Sequence, residues 1–141
     1  MARRLVSDDA WAILTILQEA DASPQEERIA VGEVIRDRTK LKYNSNGTIS
    51  GTCLKAGQFS GWDTKDPNRI RVATADLDDP IVQACAGAWA TAMKGSSFAK
   101  GALLYYAPKA MKPPGSVPWW VPDCVQVAAV GSQLFFRPKK V

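Results

Sequence analysis

The sequence has no histidine among its 141 residues, and that gap removes several chemistries at once. Ser-His-Asp and Cys-His catalysis lose their imidazole base. The H-E-x-x-H metalloprotease and the histidine-ligated zinc amidase are excluded. In any enzyme built from this chain, proton transfer falls first to carboxylates, with Lys or Tyr as secondary choices. Cysteine is scarce as well. Cys53, Cys85 and Cys124 are an odd set without C-x-x-C spacing. They make neither a zinc knuckle nor a complete disulfide framework, and read as small buried hydrophobes in a reducing compartment. No metal and no cofactor is expected. Long apolar runs are missing too. The longest uncharged segments, Pro80 to Met93 and Cys124 to Phe136, fall short of the ~20 residues that a membrane span needs. The basic start MARRLVSDDAW is followed by no apolar h-region, so no secretory signal is expected.

What is present describes a globular chain. Apolar residues make up 46% and charged residues 23%, and the length fits one domain over residues 1–141 with a sizeable core. Eighteen Lys and Arg against 14 Asp and Glu leave a net charge of +4. That sign suits an anionic partner such as nucleic acid, an acidic membrane surface or an acidic cell-wall polymer. The basic residues are scattered, with no arginine-rich arm and no recognition-helix pattern, so nucleic acid is not the expected partner.

Periodicity and punctuation predict a mainly helical α+β fold. Ala10, Ile13, Leu14 and Leu17 recur at helical spacing over residues 8 to 20. Ser23-Pro24-Gln25-Glu26 reads as a capping box opening a second helix, carried by Ile29, Val31, Val34 and Ile35 to about Arg38. Residues 40 to 69 are rich in Gly, Asn and Ser, and read as an irregular lobe with a short hairpin. Asp79-Pro80 starts a third helix, with Gly95 as its stop. GALLYYA reads as a strand or extended segment, and KPPGSVPWWVP as a proline-rich loop. VQVAAVGSQLFF fits either a helix or a strand.

Four places could carry chemistry. Glu19 closes the first helix, about 200° around from Leu17 and near the face of Thr15 and Trp11. Such a residue is either a solvated helix end or an acid. Glu26 and Glu27 sit in the first turn of the next helix, where they complement its dipole. Glu33 reads as a surface acid or an ion-pair partner. The stretch KAGQFSGWD places Gln58, Phe59, Ser60 and Trp62 in one loop. Its rings either pin the loop to the core or form the wall of a sugar cleft, where amides and hydroxyls bond the sugar and flat rings lie on its apolar face. In ALLYYAP, adjacent Tyr105 and Tyr106 point to opposite faces, one to core and one to a cleft. In PWW, one of Trp119 and Trp120 is core and the other a binding platform; Trp120 is taken as the platform.

In order, these residues run Q-E-A, P-x-E, I-A-V-x-x-V-I-x-D-R, G-Q-F-S, W, G-A-x-x-Y-Y, W and V-G-x-x-x-F-F. The series, from about Trp11 to Phe136, resembles the SleB-type cell-wall hydrolases, which include spore-cortex lytic enzymes and phage muralytic domains. The resemblance implies a lysozyme-like fold of the goose-lysozyme and lytic-transglycosylase type. The family's G-E-A-x-G-E motif begins here as Gln18-Glu19-Ala20, so Glu19 matches the catalytic glutamate. The family's V-I-L-N-R segment appears as Val34-Ile35-Arg36-Asp37-Arg38. Gly57-Gln58-Phe59-Ser60 and Gly101, Ala102, Tyr105 and Tyr106 match its other segments. The chain departs at Gln18 for glycine, Ser23 for the second glutamate, Asp37 for asparagine and Gln133 for histidine, while Glu26 keeps a later acid.

The implied reaction cleaves the β-1,4 bond between N-acetylmuramic acid and N-acetylglucosamine in peptidoglycan, with Glu19 protonating the leaving oxygen. Paired-carboxylate glycosidases need a second acid. Asp21 and Asp63 qualify by position alone, so a single-acid lytic transglycosylase is expected ahead of a muramidase. Gln58, Phe59, Ser60, Tyr105, Tyr106 and Trp120 are the expected sugar-binding residues. A monomer is expected, made in the cytoplasm and acting on the bacterial wall as a phage endolysin, delivered by a holin or a virion. The alternative is a non-catalytic glycan-binding module on the same fold.

Overall fold

The computed structural model describes residues 8–55, 58, 59, 62 and 75–141. The first helix, α1, spans Asp8–Ala20, as its periodicity predicts. It is buried beyond the single stripe: Ala12, Thr15, Ile16, Leu17, Gln18 and Ala20 are all buried, while Ile13 and Leu14 pack at the margin of the core. Thr15 and Gln18 thus lie inside, where the apolar pattern alone does not put them.

The second helix, α2, spans Gln25–Leu41, and the expected capping box is absent. Pro24 occupies the cap position with no side-chain cap. Ser23 belongs instead to the turn that ends α1, its N–H donating to the Ala20 carbonyl at 3.3 Å. The junction is fastened from the other side by Arg28. Its Nε donates to the Ala20 carbonyl at 3.1 Å and its Nη2 to that of Asp21 at 2.6 Å, satisfying carbonyls that the end of α1 leaves without helical partners. Glu19 therefore sits in a helix end that is tied down. Helix α2 runs past Arg38 and ends on Lys42 in the left-handed conformation, with the Tyr43 N–H returning to the Arg38 carbonyl at 2.9 Å. That reversal turns Tyr43 and Asn44 back toward the helix's last turns.

Within the expected irregular lobe of residues 40 to 69, residues 40 to 55 hold a short helix; most of the remainder, where a hairpin could fall, lies outside the described residues. Helix α3, Ile49–Cys53, is capped by the Thr48 hydroxyl, which accepts from the Gly51 N–H at 3.0 Å. Helix α4, Pro80–Met93, begins as predicted, with Asp79 Oδ1 accepting from the Ile81 N–H at 2.8 Å, and Gly95 follows with φ +105°. Trp89 Nε1 donates to Asp9 Oδ1 at 2.8 Å, joining α4 to α1.

The end of the chain is sheet, not helix. Strands β1 (Leu104–Tyr106), β2 (Cys124–Val130) and β3 (Gln133–Pro138) form an antiparallel sheet in the order β1-β3-β2. The Gly131-Ser132 turn makes a hairpin of β2 and β3. Two apolar clusters hold the fold. One joins α1, α2 and α4 through Ile16, Val31, Ile35, Cys85 and Trp89. The other joins α2 to the sheet through Ala30, Val34 and Phe135. Helix α2 is the shared element, so nearly all of its circumference is covered. No helix among the described residues is long and apolar enough to cross a membrane.

Candidate active site

The end of α1 and strand β1 meet at one short hydrogen bond. Tyr105 Oη donates to Glu19 Oε1 at 2.6 Å, across 86 positions of sequence. Glu19 itself is half-buried. Burial, then the Glu19 charge and its hydrogen bond, push the Tyr105 hydroxyl well above the usual tyrosine range, with Glu27 acting in the same direction and Arg38 opposing. Tyr105 is therefore a phenol at neutral pH and keeps its proton for donation.

Tyr105 also forms part of the wall of a cavity of about 340 Å³. Arg38 and Leu104 contribute to the same wall, and Tyr43, Asn44 and Gln58 come from the segments after α2 and α3. Trp119 and Trp120 complete it from the proline-rich loop. Arg38 is 4% exposed. Its Nε donates to the Leu103 carbonyl at 2.6 Å and its Nη1 to Gln58 Oε1 at 3.2 Å. It forms no ion pair among the described residues. Burial lowers its proton affinity, and the neighbouring Tyr105, Tyr43 and Glu19 partly restore it. The buried guanidinium leans on Phe59, whose ring centroid is 5.3 Å away. Asn44 Nδ2 also donates to Gln58 Oε1, at 3.3 Å, so the Gln58 carboxamide is fixed with its oxygen engaged.

The structure brings Gln58, Tyr105 and Trp120 together at the cavity. Phe59 is buried in the helical core beneath Arg38. Tyr106 stacks on Phe136 at 5.7 Å and meets Trp120 edge-on at 6.0 Å, behind the cavity rather than in its wall. Ser60 and Asp63 lie outside the described residues, as does Gly57. Trp62 meets Trp11 edge-on at 5.2 Å and donates to Thr15 Oγ1 at 2.9 Å, so its indole is fastened to α1. Asp21 caps the Ala22 N–H at 2.8 Å. Asp37 pairs with Arg36 at 2.9 Å.

Two acids differ from their sequence reading. Glu33 is not a surface residue: at 1% exposure, it accepts the Phe98 N–H at 3.0 Å, the Ala99 N–H at 2.7 Å and the Ser96 hydroxyl. The cause is that α2 is covered on several sides, so its mid-helix acid meets the loop after α4. Glu27 is fully buried and takes the Ser132 N–H at 2.6 Å and its hydroxyl at 2.9 Å. Both are structural clamps. Reading by sequence also passes over Arg38, Tyr43 and Asn44. Arg38 stands in a recognised segment with no role attached, and Tyr43-Asn44 looks like turn chemistry alone. Among the described residues no group of three or more His, Cys, Asp or Glu could hold a metal ion.

Comparison with known proteins fits this geometry. The fold matches the catalytic domain of the germination-specific lytic transglycosylase SleB from Bacillus anthracis with a TM-score of 0.71 at 17% identity, covering 96% of this chain and 100% of that one. It matches the catalytic domain of the Bacillus cereus SleB protein with a TM-score of 0.70 at 17% identity, covering 97% and 95%. The lysozyme-like, mainly helical α+β architecture is thus the one expected from sequence. No curated protein matches the chain by sequence. A family profile described as Cell Wall Hydrolase matches residues 22–136. Glu19 lies just ahead of that segment, so its role has to stand on geometry. The profile spans most of the sequence, and the chain belongs to the cell wall hydrolase family.

Proposed function

We propose that the protein cleaves the β-1,4 bond between N-acetylmuramic acid and N-acetylglucosamine in peptidoglycan as a lytic transglycosylase, with Glu19 as acid and then base. The observation that carries this reading is the Tyr105–Glu19 hydrogen bond beside the aromatic- and amide-lined cavity. Protonated Glu19 donates to the glycosidic oxygen as the bond to the muramic acid C1 breaks. The resulting carboxylate takes the proton of the same sugar's C6 hydroxyl, whose oxygen closes on C1 to form the 1,6-anhydro ring. No water is consumed. Tyr105 keeps one carboxylate oxygen oriented through both steps, and Gln58 holds the sugar's acetamido group. Two-carboxylate hydrolysis requires a second acid across the bond. Glu19 is the acid held by a side chain of the cavity wall, and the single-acid route uses it alone.

The context we propose is a phage endolysin, whose net charge of +4 suits an anionic wall polymer. Digestion of purified peptidoglycan followed by mass spectrometry tests the chemistry. Products ending in 1,6-anhydro-muramic acid, lighter by one water, support it. Reducing muramic ends would make the protein a muramidase, and reducing glucosamine ends would move the cut to the other bond. Binding without products from several wall types would leave a glycan-binding module.

A further inference from the structure

Trp119 is 86% exposed, the most exposed large apolar side chain among those described. An indole left in water forfeits the stabilisation its burial would bring. Its neighbour does not share this exposure: Trp120 packs edge-on against Phe136 at 5.3 Å and Tyr106 at 6.0 Å. The backbone around the pair is fixed. The Val121 N–H donates to the Pro118 carbonyl at 3.1 Å, the Asp123 N–H donates to that of Trp120 at 3.1 Å, and Pro118 and Pro122 restrict φ on either side. An anchored indole thus holds a second, solvent-facing one at the cavity wall. Opposite in chemistry stands Gln58. Its oxygen is engaged by Arg38 and Asn44, which leaves its Nε2 without a partner among the described residues. Such a cavity joins an aromatic plane to amide donation, a combination suited to a pyranose with an N-acyl group.

We propose that Trp119 is the stacking platform of this cavity, taking the apolar face of an N-acetylated sugar ring next to the bond that Glu19 cleaves. The inference rests on the glycan-cleaving reading, and it assigns substrate affinity to Trp119 rather than to the anchored Trp120. Because Trp119 lies outside the packed core, Trp119→Ala should fold as the parent does, which thermal melting checks. In the Glu19→Gln background, calorimetric titration with an N-acetylglucosamine tetramer and with soluble uncrosslinked glycan strands measures binding without turnover. Trp119→Ala should weaken binding by roughly tenfold, and Trp119→Phe should restore most of it. In the active enzyme, Trp119→Ala should raise KM more than it lowers kcat. Unchanged binding by Trp119→Ala, with cleavage intact in the parent, overturns the platform and spares the catalytic reading. Trp119-dependent binding in a protein that releases no products sustains the platform and overturns the catalytic reading.

Discussion

Helix α2 and the end of α1 both carry acids against distant parts of the chain, but hold them differently. On α2, Glu33 closes on two backbone N–H groups and a hydroxyl, and Glu27 on a backbone N–H and a hydroxyl. Both are fully inside. On α1, Glu19 is half-buried and takes the hydroxyl of a phenol that itself faces a cavity. Backbone donors cannot retreat, so the α2 acids fix loops. A carboxylate beside a cavity, oriented by a side chain, can exchange a proton with a ligand. Burial alone would rank the α2 acids first as unusual residues. Access and the nature of the donor reverse that order.

The comparison breaks most visibly at Glu33. Glu33→Ala strands the buried Ala99 N–H, the part-buried Phe98 N–H and the Ser96 hydroxyl, and should cost about 3 kcal/mol of stability in chemical denaturation. Its activity at a temperature where it is folded should match the parent. Gly131→Ala probes Glu27 from the turn residue next to its partner Ser132. A Cβ there would stand 2.3 Å from Glu27 Oε1 at a φ of +58°, so a loss of about 2 kcal/mol is expected by the same measurement. Tyr105→Phe should do the opposite. It should lower kcat by roughly tenfold while unfolding within about 1 kcal/mol of the parent. A stability loss with unchanged kcat would place Tyr105 with the clamps.

An effect confined to alkaline pH concerns Cys53, whose burial raises its thiol from 9.0 to about 11. The folded state holds this proton more tightly than the unfolded one. Its contribution to stability is complete below about pH 9, then declines as pH rises toward about 11. Chemical denaturation across that window should show the decline, and no pH dependence from Cys53 near neutral pH. At neutral pH, a thiol reagent on the folded protein should modify half-buried Cys124 and spare Cys53 and Cys85, as peptide mapping would show.

Legibility in the sequence followed the range of the interactions. Helices α1 and α4 were readable because their periodicity and, for α4, the Asp79-Pro80 start and Gly95 stop are local. Helix α3 was hidden because Thr48, its cap, belongs to the polar residues that also make turns. The capping box failed because the same Ser23 was taken by the turn ending α1. Glu33 looked like a surface acid because its partners lie more than 60 residues away. At the site, Glu19 and Tyr105 could each be singled out, yet nothing local says that they touch. Trp119 and Trp120 are alike in sequence, and only the packing of Phe136 and Tyr106 on one of them tells them apart.

The most direct measurement is the release of soluble muropeptides from purified peptidoglycan by Glu19→Gln beside the parent protein, at matched thermal stability. The amide keeps the shape of the carboxyl but can neither give nor take the proton. Loss of all product with an unchanged melting temperature is the predicted result. Product release at the parent's rate would contradict the assignment of Glu19 as the catalytic acid.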